Sequence, residues 1–291
     1  MLAGTMKIVL GQGIFNTYGR ITTIMILKLI YSIMRSLSSS KVLHKFSVAI
    51  LLTFYCCKAS PPHDLDDEGF VKIFDEKTLD GWEGDPTYWS VREGALFGEI
   101  TPETIIEHNT FIIWQGDMPS NFELKIEYRV SDRGNSGINY RSELVKGVPF
   151  ALRGYQADLN GGGKDLVGSN YEERRRTTLA SQGEIVVVLS AKNSDSLELY
   201  KEKNKWIARE VTGSLGSGEF LKSEIRDGDW NEFHLIIKGN RLKHIVNGVL
   251  MSDVTDNDPV NRRMDGLLGV QVHVGPPMTI EYRNIRIKEL H

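Results

Sequence analysis

The sequence has only two cysteines, Cys56 and Cys57, and they are adjacent and close to the N-terminus. Adjacent cysteines rarely bridge each other, so we expect no disulfide framework in the folded part of the chain. The net charge is only −3 at pH 7, which argues against nucleic acid as a partner. Internal repeats are absent, and segments with a helical hydrophobic period are nearly absent. Only Asn170 to Ala180 has the pattern of a short helix.

The composition of the chain is that of a globular protein. Of the 291 residues, 41% are hydrophobic and 25% are charged, which suits one large domain or two small ones. Residues 60–68 are rich in Pro and Asp and are expected to form a linker. From residue 69 to residue 291 there is no second linker and no shift in composition. We therefore predict a single domain over 69–291.

Residues 1–59 resemble a targeting segment. A basic stretch is followed by a short apolar run from Phe46 to Cys57, and Ala59 is a candidate end of a cleavage site. The run is too short to predict a membrane span. This arrangement predicts a secretory signal peptide, and the basic residues that precede the apolar run are Arg35, Lys41 and Lys45.

The start of this segment has two interpretations. In the first, the true start is Met34 and the upstream part is a gene-model extension. In the second, residues 21–57 anchor the protein. We favour the first. It predicts export to the periplasm, the cell surface or the medium, and no stable membrane insertion of the mature domain.

Short strand patterns separated by Gly and Asn turns recur along the whole domain. Many strands at close spacing predict an all-β fold, a sandwich or jelly roll of two antiparallel sheets. A bulge near Arg283-Asn284 is expected because the side-chain parity changes there. The main predicted strands are residues 70–74, 88–92, 95–98, 111–114, 122–130, 184–190, 197–200, 206–211, 231–238, 241–246, 249–254, 267–274 and 279–290.

Three runs between Phe122 and Leu159 alternate apolar and polar residues with a period of two, as strands with two different faces do. Their polar positions hold side chains that make directional hydrogen bonds. We interpret this polar face as a binding surface for a small, hydroxyl-rich ligand. The strand from Leu267 to Val274 repeats the pattern. The polar residues are Glu123, Lys125, Glu127 and Arg129 in the first run, Asn139 and Arg141 in the second, Gln156 and Asp158 in the third, and Gln271 and His273 in the repeat.

Several of these runs, taken in order, resemble the 3-keto-disaccharide hydrolase family. The set spans almost all of residues 69–291, and the ordered set is more specific than any one piece. This chain has Gln156 and Asp158 where much of the family has a Glu and then a Gln. The matching pieces are FDEKTLDGW (74–82), WSVREGAL (89–96), FELKIEYR (122–129), NSGINYR (135–141), GYQAD (154–158), DWNEF (229–233), VNG (246–248), GLLGVQVH (266–273) and EYRNIRIKEL (281–290).

The resemblance implies a concanavalin A-like sandwich that binds sugar on a concave sheet and acts on glycosides oxidised to a ketone at C3. Such a ketone makes the C2 hydrogen acidic, so a base can remove it and the C1 substituent can leave. Addition of water then completes a net hydrolysis. His273 is the candidate base because of its ordinary pKa near 6.5, with Asp158 and Glu127 as alternatives. Arg141 would hold the developing enolate charge. The candidate substrate-binding residues are Asn139, Gln156, Gln271, Arg129 and Tyr171.

Other interpretations remain open. His273 together with Asp158 or Glu127 would form a site for a divalent cation that polarises the ketone. Glu127 and Arg129 also fit a structural ion pair across strands. The polar face also suits a non-catalytic carbohydrate-binding module. A retaining glycosidase of the laminarinase type is disfavoured because Lys125 stands where the E-x-D-x-x-E signature requires Asp.

Overall fold

The computed structural model describes residue 66, residues 68–190 and residues 204–291. The described part is almost entirely β-structure, with one short helix, α1 (Gly218–Ser223). The strands, in chain order, are β1 (Val71–Lys72), β2 (Trp82–Glu83), β3 (Trp89–Arg92), β4 (Ala95–Ile100), β5 (Thr110–Trp114), β6 (Phe122–Val130), β7 (Asn135–Leu144), β8 (Leu152–Asn160), β9 (Asn170–Glu173), β10 (Thr177–Ala180), β11 (Glu184–Val188), β12 (Arg209–Ser214), β13 (Asn231–Lys238), β14 (Arg241–Val246), β15 (Val249–Asp256), β16 (Leu267–Val272) and β17 (Met278–Glu289).

The strands form two sheets packed face to face. The larger sheet has the order β12-β11-β15-β14-β13-β6-β17-β4-β3, with β1 paired to β17, and the smaller has the order β10-β9-β8-β7-β16-β5-β2. Neighbouring strands are antiparallel except for the pair β11–β15, which is parallel. The predicted jelly-roll sandwich of the concanavalin A type is therefore confirmed.

The core lies between the two sheets. On β6 the burial pattern alternates along all nine residues, and Phe122, Leu124 and Ile126 are almost completely buried. The Phe122 ring meets the ring of Tyr140 on β7 edge-on, with 6.2 Å between centroids. Since these strands belong to different sheets, this pair joins the inner faces of the sandwich. Apolar burial of this kind is the main stabilising contribution to such a fold.

The polar face expected from the three alternating runs is divided between the sheets. β6 lies in the larger sheet, whereas β7, β8 and β16 are neighbours in the smaller one. The polar residues of β6 therefore do not share a surface with those of the other strands. Alternation shows that a strand has two different faces, but it carries no information about which sheet the strand joins.

The helix predicted over Asn170 to Ala180 is wrong. This segment forms strands β9 and β10, which pair with each other. The three residues between the strands form the turn, and Arg174 (φ 56°) and Thr177 (φ 67°) have left-handed backbone conformations. The run of three arginines and two threonines has only a weak helical period. The pairing of each strand with its antiparallel neighbour therefore determines that the segment is β-structure.

Two further sequence predictions have clear outcomes. The bulge near Arg283-Asn284 is confirmed: the pairing of β17 with β6 shifts register between Arg283 and Arg286, and Asn284 has φ 50°. The strand predicted over 206–211 begins later, as β12, and pairs with β11.

Residues 197–200 and the N-terminal segment 1–59 lie outside the described residues. Within the described ranges, no helix is both long and apolar enough to span a membrane.

Candidate active site

The outer face of the smaller sheet carries a row of polar side chains on neighbouring strands. Gln156 on β8 lies opposite Tyr171 on β9, and Asp158 lies opposite Gly137 on β7. Tyr171 and Glu173 occupy alternate positions of β9 and therefore lie on the same face. The pleat of the two adjacent strands β8 and β9 thus brings an amide, a phenol and two carboxyl groups to one surface.

This sheet is curved into a hollow. Asn109 lies directly before β5, and its Nδ2 donates a hydrogen bond to Oε1 of Glu173 on β9 at 3.0 Å. Three strands separate β9 from β5 in the sheet, so this contact requires the end of β9 and the start of β5 to approach each other. The hollow has a volume of about 540 Å³ and is lined by Asn109, Asn135, Gln156, Asp158, Leu166, Tyr171, Glu173, Arg174, Arg175, Thr177, Thr178, Asn204 and His273.

A small apolar cluster covers a second part of the same face. Phe111, Ile113 and Leu152 are buried there and pack with the partly buried Leu267. Leu152 reaches over β16, where Gly269 leaves space: a Cβ on that glycine would lie 2.8 Å from a methyl carbon of Leu152. The hydrogen-bonding groups are therefore confined to the other part of the face, where the hollow lies.

Asp158 is held by a chain of two amides. Nε2 of Gln156 donates to its Oδ1 at 2.8 Å, and Nε2 of Gln271 donates to Oε1 of Gln156 at 3.0 Å. Burial raises the pKa of Asp158 to about 8; the Gln156 hydrogen bond opposes this rise and the nearby Glu173 adds to it. At neutral pH the Asp158 carboxyl is therefore mainly protonated and can donate a proton.

The second carboxyl group, Glu173, is shifted in the same direction. Burial raises its pKa, while the hydrogen bond from Asn109 and the charge of Arg174 lower it. Burial and the charges of Glu173 and Asp158 raise the pKa of Tyr171, whose hydroxyl donates to Oδ1 of Asn204 at 3.1 Å. Neighbouring carboxyl groups with raised pKa values are typical of acid–base sites.

His273 lines the same hollow. Its Nδ1 lies 2.6 Å from the carbonyl oxygen of Val274, and because a carbonyl only accepts, Nδ1 carries the hydrogen and Nε2 keeps its lone pair. Burial lowers the pKa of His273, although the hydrogen bond to Val274 opposes this shift. The imidazole is therefore neutral at neutral pH and is able to accept a proton at Nε2.

Arg174 supplies a positive charge to the wall of the hollow. Its Nε lies 3.7 Å from Oε1 of Glu173, and a third of its side chain remains exposed. Its backbone is left-handed, with φ 56°, a conformation that is unfavourable for a residue with a Cβ and is often retained at functional sites. Arg175 is instead neutralised by Glu172 at 3.2 Å.

The structure does not bring Arg141 into the hollow. Arg141 has φ 45° at an irregularity in the β7–β8 pairing, and its side chain is fully buried. Its guanidinium donates to three carbonyl oxygens, those of Gly239 at 2.8 Å, Arg263 at 3.2 Å and Ser120 at 2.6 Å. The sequence prediction extended the alternation of β7 past Tyr140, where the bulge ends it.

Glu127 and Arg129 are also outside the hollow, because β6 belongs to the larger sheet. Glu127 accepts hydrogen bonds from Nε of Arg283 at 2.7 Å and Nδ2 of Asn284 at 3.1 Å. Burial raises its pKa, but these donors outweigh burial and leave it below the ordinary value. Arg129 binds both carboxylate oxygens of Glu281. These contacts fit the structural ion-pair interpretation of the two residues.

Asn139 and Gln271 lie on the face of the hollow but have no exposed surface. Neither polar atom of the Asn139 side chain has a hydrogen-bond partner, and neither does Oε1 of Gln271. Both had been expected to contact substrate. Their burial places them beneath the surface that a ligand would touch.

Sequence reasoning missed Glu173, Asn109 and Arg174. Glu173 has the same parity as Tyr171, so the sequence of residues 171–173 contains the signal once the segment is interpreted as a strand. Asn109 and Arg174 belong to connecting segments, for which no periodic signal exists.

Of the two residue pairs predicted to hold a cation, the structure brings only one into the hollow. His273 and Asp158 line the hollow, but Glu127 lies on the other sheet. In residues 68–190 and 204–291, no group of three or more His, Cys, Asp or Glu side chains is arranged to hold a metal ion.

With the fold and the hollow described, comparison with known proteins gives the family of this chain. The chain belongs to the family described as 3-keto-alpha-glucoside-1,2-lyase-like domains, whose profile matches residues 69–288. The predicted family resemblance is therefore confirmed.

Individual relatives are more distant. The chain is 34% identical over 88 residues to a 3-keto-disaccharide hydrolase of Bacteroides thetaiotaomicron, a match that spans 28% of this chain and 30% of that protein. A Parabacteroides distasonis protein assigned to the glycosyl hydrolases is similar in structure with a TM-score of 0.48 and 16% identity, over 79% of this chain and 99% of the other. The carbohydrate-binding module CBM66 of Bacillus subtilis gives a TM-score of 0.44 and 14% identity, over 72% and 96%.

Proposed function

We propose that this protein is an exported enzyme that cleaves 3-keto-glycosides by elimination followed by hydration. The observation that carries this proposal is that Asp158 and His273 line the same hollow. Burial displaces their pKa values in opposite directions, so that at neutral pH a protonated carboxyl group and a neutral imidazole are present together. Such a pair supplies the acid and the base of one reaction.

In the first half-reaction, Nε2 of His273 takes the proton from C2 of the sugar, next to the C3 ketone. The electron pair of the C2–H bond forms the C1–C2 double bond. The bond from C1 to the glycosidic oxygen breaks, and Asp158 donates its proton to that oxygen as the alcohol leaves. Arg174 is the cation of the hollow that can stabilise the negative charge on the ketone oxygen.

In the second half-reaction, a water molecule adds to C1 of the unsaturated ketone. Asp158, now ionised, takes a proton from this water, and His273 returns its proton to C2. The products are the 3-keto sugar and the free alcohol, so the sum is hydrolysis and both residues return to their starting states. The family description, a lyase-like domain acting between positions 1 and 2, supports this route.

The test is to incubate the purified protein with a chromogenic 3-keto-glucoside in D₂O and to follow alcohol release and deuterium at C2. We expect both, together with a loss of about 10²-fold or more in His273→Gln and Asp158→Asn, the usual size of a general acid or base contribution. Glu127→Gln is the matched control and should keep full activity. Full activity in the first two variants would contradict the proposed roles. Binding of the sugar with no release would indicate a carbohydrate-binding module instead.

The export part of the proposal is tested separately. N-terminal sequencing of the protein recovered outside the cytoplasm should find a mature chain that starts close to Ser60. Recovery of a chain that retains residues 34–59 would contradict cleavage of a signal peptide.

A further inference from the structure

A set of fully buried amides lies beneath the acid of the hollow. Gln271 has no exposed surface and Gln156 is 3% exposed, so Gln271 cannot reach a ligand directly. Its Nε2 donates to Gln156, and Gln156 donates to Asp158. The three side chains thus form one line of hydrogen bonds that runs from β16 over β7 to β8.

The direction of this line is fixed by its donors. A side-chain amide offers a donor at one end and an acceptor at the other. Because Nε2 of Gln271 faces Oε1 of Gln156, the Gln156 amide must turn its own Nε2 towards Asp158. Oδ1 of Asp158 accepts that N–H, and a carboxyl oxygen that accepts at this position does not carry the acidic proton. The proton therefore sits on Oδ2.

β7 is shaped to allow this line. At Gly137, a Cβ would lie 2.4 Å from Cδ of Gln156, so the amide of Gln156 lies directly over the glycine. Gly137 is paired with Asp158, which places it between the two outer residues of the line. Any larger residue would occupy the space of the Gln156 amide.

We propose that Gln271 is a positioning residue that acts through Gln156 and holds the acidic proton of Asp158 on Oδ2. Gln271 touches no substrate, and its effect passes entirely through the orientation of one amide. The proposal rests on the proposed function for its catalytic meaning, because Asp158 is the acid of that reaction. The hydrogen-bond line itself can be tested without any substrate.

The test is a carboxyl carbon NMR titration of Asp158, with Asp158→Asn used to assign the signal. The N–H of Gln156 stabilises the ionised carboxylate, so Gln156→Met should raise the pKa of Asp158 by about one unit. Gln271→Met should raise it in the same direction, because the Gln156 amide is then free to turn. The double variant should show no larger shift than Gln156→Met alone, since Gln271 has no other route to Asp158.

Two further variants separate this line from a general loss of packing. Gly137→Ala removes no polar atom but displaces the Gln156 amide, and we expect the same upward shift. Gln182→Met removes an amide that donates to the carbonyls of Lys164 and Val167, and it should leave the pKa of Asp158 unchanged. Thermal unfolding of each variant confirms that it is folded.

The outcomes are distinct. Additive shifts in the double variant, or an unchanged pKa in Gln271→Met, would overturn the proposal even if the enzyme cleaves 3-keto-glycosides. The predicted shifts without any alcohol release would support the line of amides and contradict the proposed function. In an active enzyme, the alkaline limb of the rate profile should move upward with the pKa in Gln271→Met.

Discussion

The Nδ2 of Asn109 donates to Oε1 of Glu173 at 3.0 Å across the hollow. The backbone N–H of Val274 donates to Oδ1 of the same Asn109 at 2.9 Å. One side chain therefore ties β9 to the segment that follows β16 and carries His273. A single side-chain amide therefore joins two distant parts of the curved sheet.

Replacing Asn109 by Leu should break this connection. Both hydrogen bonds are lost. The carboxyl group of Glu173 is buried, so the loss of its partner costs about 1–3 kcal/mol. We expect a lower melting temperature and weaker binding of a 3-keto-glucoside, measured by calorimetry. Thr104→Val, which removes a hydroxyl group from the loop that leads to Asn109, is the control. Equal affinity in Asn109→Leu and wild type would show that the hollow keeps its shape without the amide.

Removing the charge of Glu173 should lower the pKa of Asp158. Glu173 is one of the groups that raise this pKa, so Glu173→Gln removes the repulsion between two carboxylates. The rate of alcohol release requires protonated Asp158, and its alkaline limb should therefore move below about pH 8. Glu143→Gln, which removes a carboxylate paired with Arg153, should leave the limb in place. If the alkaline limb of Glu173→Gln moved to higher pH instead, this explanation would be contradicted.

Asp158 should also make the stability of the protein depend on pH. Its pKa rises on folding from an ordinary value near 4 to about 8, so the folded state binds the proton more tightly than the unfolded state. The stabilisation is complete below pH 4 and is lost as the pH rises towards 8. Asp158→Asn lacks this dependence, so its melting temperature should rise relative to wild type across that window. A constant difference between the two proteins from pH 4 to pH 9 would contradict the raised pKa.

Arg141 should affect stability and leave the chemistry alone. Arg141→Met removes the donors to three carbonyl oxygens, and we expect a loss on the order of 3 kcal/mol in the free energy of unfolding. At a temperature where the variant is folded, kcat should stay within a factor of about two of wild type because the side chain does not line the hollow. Denaturant unfolding and steady-state kinetics measure the two quantities. A loss of kcat larger than this in folded Arg141→Met would show that Arg141 contributes to the reaction.

The sequence was sufficient for the strands and for part of the site. Alternation on β6 and β8 predicted which side chains are buried and singled out Gln156 and Asp158, and the same pattern over Leu267 to Val274 singled out His273. The sequence did not indicate which sheet each strand joins, because β6 and β7 are consecutive in the chain yet lie in different sheets. Glu127 and Arg129 were placed on the wrong surface for that reason.

Local backbone geometry accounts for the other differences. Arg141 follows the alternation of β7 in sequence, but its left-handed φ turns the side chain away. Arg174 enters the hollow only because the segment after Asn170 is a hairpin and not a helix. Asn109 depends on the curvature of a whole sheet, a property that no local pattern encodes.

The division of the hollow between rigid strands and connecting segments has a consequence for engineering. Gln156 and Asp158 sit on a strand with neighbours on both sides, whereas Arg174, Arg175 and Asn204 come from a turn and a connection. Randomising Arg175 and Asn204, with Arg174 kept for its charge, should give libraries in which preference for the departing alcohol changes while the proton-transfer groups keep their alignment. Screening such libraries against a panel of oxidised glycosides would be a practical way to diversify the enzyme.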